Sequence, residues 1–331
     1  MLGDLDLIRL KKALAGLPEP LELVFHPTSG RSALSEEMEA AALQIEQASG
    51  GAVRLRRAPP AERQHLPERP ALSLGWRGKS NIHYLAIPEG PEVLPFIEAL
   101  QALPAGVAGH QEPWTRKLSG LRRPARLFVF MATTCPNCPR TVRAALQLSL
   151  VSHGVHSYII DVQRYPRLGE RYRIKSVPAT VLDDGWTGVG MMSPAELVER
   201  ILRRDDPDMD QEVFDSLVES GRLDDAADWL LDHGAPAFAV AWQRATLSVR
   251  VALMLLAEKV LEKDRRALEG CVETLLESLD SDDAAQRGDT ADLLGRLGDA
   301  RALEPLRRLG DDPNPDVAEI ARDAVDQLLH E

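Results

Sequence analysis

FMATTCPNCPRTV, residues Phe130–Val142, decides how this chain is read. An apolar run rich in aromatic and β-branched residues, ARLFVFMA (Ala125–Ala132), leads into it and reads as a strand. Pro139–Val151 leaves it with the apolar spacing of a helix. Cys135 and Cys138 thus stand where a strand hands over to a helix, three residues apart and on one helix face. The first sulfur meets the free N–H groups and the positive dipole end of that helix, which favour an anion, and thiolate is the form that attacks a disulfide. Pro136 suits a first turn, because its missing N–H has no helical partner there. Cys138, one turn deeper, is placed as the resolving thiol.

Downstream, HSYIIDV (His156–Val162) reads as a strand and Pro166–Tyr172 as a short helix. Val177–Asp183 and Gly188–Met192 form a hairpin entered by Val177-Pro178. Pro194–Leu202 closes as a helix with Ser193 as N-cap. The residues before Phe130 repeat this order without cysteines. LELVFH (Leu21–His26) is a strand, Leu34–Ala48 a helix capped by Ser32 or Ser35, and Ala52–Ala58 a strand. Arg69–Trp76 and Asn81–Ile87 form a hairpin around Arg77-Gly78-Lys79, entered by Arg69-Pro70, and Val93–Leu103 is a helix. Two units of the same order point to internal duplication. Ahead of both, Leu7, Leu10, Leu14 and Leu17 give the first residues the face of an amphipathic helix, not the core of a signal peptide.

Charge marks where the second unit ends. Asp205–Glu331 carries 31 Asp and Glu against 13 Lys and Arg, a net of −18 within a chain whose total is −12, so the rest is slightly basic. The tail predicts only helices, broken by Gly and Asp-Pro. Leu276, Leu279, Asp282 and Ala291 recur about thirty residues later as Leu306, Leu309, Asp312 and Ala321. Paired helices of this kind stack because one pair alone cannot bury its apolar face.

Composition narrows the function classes. With 331 residues, 44% of them hydrophobic, the chain can build two or three packed domains. No run approaches the roughly 18 apolar residues of a membrane span, so no membrane partner is expected and the chain is read as cytoplasmic. An acidic tail argues against nucleic acid. Three cysteines are too few for a disulfide scaffold, so Cys135 and Cys138 read first as a redox pair and second as half of a metal site. No second Cys/His pair has ligand spacing, so no metal is expected, although cluster binding by a dimer is a further reading. Cys271, among Leu268, Val272, Leu275 and Leu276, is read as a core thiol. The chain shows no flavin or nicotinamide fingerprint, so no cofactor is expected and electrons must come from an external donor, a reductase or glutathione.

Phe128–Leu202 resembles a thioredoxin or glutaredoxin domain, with FMATTCPNCPRTV as its active-site stretch and SVPATVL (Ser176–Leu182) as its cis-proline signature. Leu5–Leu202 resembles the two-unit protein disulfide oxidoreductases and the N-terminal domain of the alkyl hydroperoxide reductase flavoprotein, and Ile87–Leu100 looks like the end of their first unit. The tail, best over Ala267–Glu331, resembles short HEAT repeats of the kind found in bilin lyases. The resemblance implies Cys135 as attacking thiol, Cys138 as resolving thiol, and Pro178 as a cis residue lying against the sulfurs. It implies substrate contacts at Pro136 and Asn137 and pairing of an extended client segment with the backbone of Val177. The family's buried acid in the strand before the cysteines is missing, because Leu127–Thr134 holds no Asp or Glu. A proton acceptor for Cys138 must then be water or a side chain from elsewhere.

The expected fold is α/β plus all-α: a thioredoxin-like unit without cysteines (1–109), a redox unit (110–204) and a HEAT-like domain (205–331). The first two are expected to lie with their sheets side by side. The expected function is thiol–disulfide exchange on protein disulfides, with the helical repeats recruiting a partner or client. The alternative is a redox-sensitive adaptor in which the thioredoxin units are scaffold. Smaller readings accompany these. His26 is an ordinary loop histidine or lines a vestigial site, and His153 and His156 are solvated. Arg140 and Arg143 lie on a solvated helix face, favour the thiolate or steer an acidic partner.

Overall fold

A computed structural model describes residues 2–17, 19–59, 66–105, 114–204 and 206–330. The chain forms two compact units, Met1–Asp205 and Asp206–Glu331. In the first, α1 (Asp4–Leu14) precedes β1 (Leu21–His26), α2 (Ala33–Ala48), β2 (Val53–Arg57), β3 (Ala71–Trp76), β4 (Lys79–Leu85) and α3 (Val93–Ala102). After α4 (Thr115–Leu118) the order returns as β5 (Ala125–Met131), α5 (Cys138–Val151), β6 (Val155–Asp161), α6 (Pro166–Arg171), β7 (Ala179–Leu182), β8 (Trp186–Val189) and α7 (Pro194–Arg203).

All eight strands join one sheet in the order β2-β1-β3-β4-β6-β5-β7-β8. Each half repeats the same internal order, which is the duplication in three dimensions. The halves meet where β4 pairs parallel with β6, Ile82 opposite Ser157 and Leu85 opposite Ile160. A single core runs across the junction, from Leu23 and Phe25 through Tyr84 and Phe96 to Phe130, Val142 and Ile159. β5 and β6 are buried on both faces along most of their length, as central strands between helix layers must be.

Local chemistry sets the element ends. Ser32 caps α2 through Ser35 N, and Ser193 and Glu196 form a capping box on α7. Trp76 pairs with Lys79, so Arg77 and Gly78 alone make the first hairpin turn, both at positive φ (50° and 75°), the conformation that a tight turn between twisted strands requires. The second hairpin turns through Asp183 and Asp184, also at positive φ, and this shifts its return strand to Trp186–Val189, earlier than the expected Gly188–Met192. Asp tolerates the left-handed region because its short side chain bonds locally, so the chain turns directly after Leu182.

The junction also uses polar groups. Asn81, buried at the start of the β4–β6 contact, directs its Nδ2 to the carbonyls of Ser149 (2.8 Å), Ser152 (3.1 Å) and Val155 (2.8 Å) in the second half. Arg164 reaches the other way. Its guanidinium holds Glu37 of α2 at 2.7 Å, Glu89 at 2.8 Å and its own half's Asp161 at 3.3 Å.

The second unit is all helical: α8 (Pro207–Glu219), α9 (Leu223–His233), α10 (Pro236–Arg244), α11 (Leu247–Lys263), α12 (Val272–Glu277), α13 (Ala284–Leu297), α14 (Leu303–Leu309) and α15 (Pro315–His330). Its own core centres on Phe214, Phe238, Trp242, Leu253, Leu256 and Leu294. Trp242 donates to Thr290 Oγ1 at 3.0 Å, and Arg287 grips Asp312 with two bonds of 2.8 and 2.9 Å. Gly295 lets α13 and α15 touch, since a Cβ there would lie 2.9 Å from that of Ala324. Cys271 is buried in this core, and burial pushes its thiol up to about 12. No helix among the described residues is long and apolar enough to cross a membrane.

Replacing Asn81 by Ala leaves buried carbonyls at the junction without their donor, which costs about 2 kcal/mol. Guanidinium unfolding of the full chain should show that loss with circular dichroism unchanged at zero denaturant. An unchanged midpoint would mean the junction does not need this contact.

Candidate functional site

The site forms at the carboxyl end of β5. The chain leaves Met131, turns so that Cys135 N donates to Ala132 O at 2.9 Å, and enters α5 at Cys138. Asn137 occupies the N-cap position but its side chain makes no capping bond, and it is exposed together with Pro136. Free N–H groups of the first turn are therefore left for the sulfur: Cys138 N donates to Cys135 Sγ at 3.2 Å. Cys135 is half-buried and Cys138 wholly buried, and both are free thiols. Burial pushes the Cys138 thiol well above its ordinary value, and its contact with Cys135 adds to that.

The hairpin of β7 and β8 forms the other wall. The Val177–Pro178 peptide is cis, and Cys135 Sγ lies 3.7 Å from Val177 O. Gly190 N donates to Pro178 O at 2.8 Å, which brings exposed Val189 and Met191 to the rim. The structure therefore gathers Cys135, Cys138, Val177 and Pro178 at one place, with Pro136 and Asn137 on its outer face. Arg140 stays exposed and approaches Met191 Sδ at 3.9 Å, while Arg143 is tied to Glu98 of α3 by a two-pronged ion pair.

Sequence reasoning missed a buried acid, which comes from the other half. Glu92 stands between a single turn (Gly90–Glu92) and α3, and that turn packs against α5. It is 1% exposed, and neither carboxyl oxygen has a hydrogen-bond partner among the described residues. Burial raises its pKa to about 7, with Arg143 opposing the rise and Asp161 reinforcing it. Its charge is felt at Cys138, where it disfavours a second anion. Asp161, at the end of β6, is also buried and raised, first by loss of water, with Gln163 N and Arg164 opposing. Glu89 and Glu92 stand three residues apart before α3, and nothing in that spacing says that Glu92 is buried and Glu89 goes to Arg164.

Among the described residues the first half has no such site. His26 ends β1, where the second half has its cysteines, and it is buried rather than an ordinary loop residue. Its Nε2 lies 3.0 Å from Ser73 Oγ, which in turn lies 2.7 Å from His83 Nδ1. Burial holds His83 down at about 3, so it stays neutral. His156, expected in solvent, lies in β6 with its ring stacked 6.0 Å from that of His83, whereas His153 is exposed. The Arg69–Pro70 peptide is cis, and Pro70 O accepts from Tyr165 Oη at 2.5 Å. Both carbonyls of the cis prolines are thus occupied, that of Pro70 by a tyrosine hydroxyl and that of Pro178 by Gly190 N. No group of three or more His, Cys, Asp or Glu that could hold a metal occurs among the described residues.

Residues 126–203 match the thioredoxin domain family. This half is a thioredoxin-superfamily domain. Its sheet order, cis proline and cysteine position agree with that assignment. The two-unit platform is similar to the NTD_N/C domain of the alkylhydroperoxide reductase AhpF from Enterococcus faecalis: 19% identity, 61% of this chain, all of that one, TM-score 0.53. A protein disulfide oxidoreductase from Aeropyrum pernix is similar at 16% identity, covering 61% of this chain and 93% of that one, TM-score 0.53. At these identities the likeness shows the two-unit thioredoxin fold. A curated relative, the NADH dehydrogenase of Bacillus subtilis (strain 168), is 26% identical over 166 residues, 48% of this chain and 32% of its own length. The chain thus spans about a third of that relative. The thioredoxin match and the cysteine pair within it support a redox role in general terms.

Glu92 makes stability depend on pH. Its folded pKa, about 7, lies above the ordinary 4.5, so the unfolded chain binds fewer protons between those values. Stability therefore falls as pH rises through that window, by at most about 3 kcal/mol. Glu92→Gln removes the dependence. It should match wild type near pH 4 and exceed it near pH 8, as read by thermal unfolding. Equal curves at both pH values would show that Glu92 is not buried as described.

Proposed function

We propose that this chain exchanges dithiol for disulfide with protein clients through Cys135 and Cys138. One observation carries the reading: a half-exposed sulfur receives a helix N–H at 3.2 Å, lies 3.7 Å from the carbonyl before a cis proline, and has a buried thiol one turn beneath it. Cys135 thiolate attacks one sulfur of the client disulfide. The client S–S bond breaks, the departing client thiolate takes a proton from water, and a Cys135–client mixed disulfide remains. An extended client segment pairs with the backbone of Val177 while Pro136 and Asn137 border it. Cys138 then gives up its proton and attacks Cys135 Sγ, which expels the second client thiolate. The chain is left with a Cys135–Cys138 disulfide, having delivered two electrons.

Glu92 is the proton acceptor in this reading. It is buried in a turn that packs against α5, its charge is felt at Cys138, its ionisation lies near neutral pH, and its carboxylate has no hydrogen-bond partner among the described residues. The acid absent from the strand before the cysteines is thus supplied by the cysteine-free half.

We place the exchange in the cytoplasm, where reduction is the favoured direction. The electrons come from a separate reductase or from glutathione. The reductase is favoured, because the curated relative is an NADH dehydrogenase. The helical unit recruits the partner or client. In the adaptor reading, the thioredoxin halves are scaffold and Cys135 is dispensable for the biological role.

Insulin reduction with dithiothreitol as donor separates these readings. Wild type should catalyse it, Cys135→Ser should lose it, and Cys138→Ser should accumulate mixed disulfide. Glu92→Gln should slow the resolving step by about a hundredfold and remove a rise in rate near pH 7. Equal rates for wild type and Cys135→Ser would end the enzymatic reading.

A further inference from the structure

Helix α11 is apolar on two sides. Leu253, Leu256, Ala257 and Val260 are buried in the core of the second unit. On another face Leu247, Val251 and Leu255, spaced i, i+4 and i+8, are 63%, 55% and 48% exposed. The three form one stripe about 12 Å long, over two helical turns. A helix packed on one side normally keeps its outer face polar, and neighbouring exposed aliphatics mark contact sites.

The helix cannot roll to bury them. On one flank Lys259 and Lys263 are bonded to Asp224 and Asp228 of α9, each at 2.6 Å. On the other, Arg250 holds Asp289 of α13 at 2.8 Å, and Arg296 holds Glu258. Beyond Leu255 the exposed face continues as Glu258 and Glu262, and α13 brings Asp289 and Asp292 alongside. The apolar stripe is thus bordered by ion pairs, with Glu258 and Asp292 sharing Arg296, in a unit whose net charge is −18 from 31 acids and 13 bases over residues 205–331.

We propose that Leu247, Val251 and Leu255 dock a basic amphipathic helix of a partner protein. Its apolar side covers the stripe, and its Lys and Arg residues answer the exposed Glu262 and the net acidic charge of the unit. Helix-in-groove recognition uses anchors of this spacing, and opposite charge sets the choice of partner. A second copy of the same unit would bring −18 against −18, which disfavours it as the occupant. The inference names the partner class for the recruitment reading above and rests on it. It is independent of the cysteine chemistry.

The test uses the full chain and a fluorescein-labelled synthetic Leu/Lys helix, with its Leu/Glu counterpart as control. Anisotropy should show binding of the Leu/Lys peptide that weakens with salt, and little of the Leu/Glu one. Val251→Lys combined with Leu255→Lys should weaken binding by on the order of tenfold or more, with helicity and insulin reduction unchanged. Equal binding of the two peptides, or a double variant that binds like wild type, overturns the proposal. So does sedimentation of wild type as a dimer that the double variant dissolves, since the stripe would then be covered by a second copy. Loss of insulin reduction in Cys135→Ser bears only on the exchange reading and leaves peptide binding as it is.

Discussion

The parallel contact between β4 and β6 is what makes one platform of two similar halves, and the arrangement of the cysteine site depends on it. Without that ladder α3 would have no reason to lie against α5, and Glu92 would sit at the surface of a separate unit. With it, a carboxyl encoded some forty residues before the cysteines is buried near Cys138. Asn81 and Arg164 support the contact from its two ends, the first by serving carbonyls of the second half and the second by gathering carboxylates from both.

Division of labour between the halves follows from what each retains. The second half keeps the strand–cysteine–helix passage with a cis Val177–Pro178 peptide beside it. The first keeps the cis proline, but a buried histidine stands where cysteines would be and Tyr165 closes the carbonyl of Pro70. In the proposed exchange the first half acts through Glu92 alone, tuned by burial on one side and by Arg143 on the other. A carboxyl poised near neutrality suits proton transfer at physiological pH, since it is neither fully charged nor fully protonated there.

The helical unit follows a different logic. Its cores are local, its neighbours in space are mostly neighbours in sequence, and the bidentate Arg287–Asp312 pair fastens one helix pair to the next. Its acidic surface and the exposed stripe on α11 set it apart from the platform chemically. In the proposed function it chooses the partner and the platform performs the exchange.

Much of this was legible in the chain itself. Strand and helix periods, the capping serines, the turn at Arg77-Gly78 and the repeated element order are local properties, and each follows from a few adjacent residues. The cysteine pair declared itself in the same way, since its chemistry needs only spacing and a helix start. What the sequence could not decide was which side chains meet across long separations. Glu92 and Glu89 look alike in the chain, yet one is buried with no hydrogen-bond partner among the described residues and the other is bound to Arg164. His26 read as a loop residue or part of a vestigial site and His156 as solvated, but strand register sets them against Ser73 and His83. Register and packing are collective. They are set by how whole strands align and by which face loses its water, so only the tertiary structure could assign these residues their surroundings.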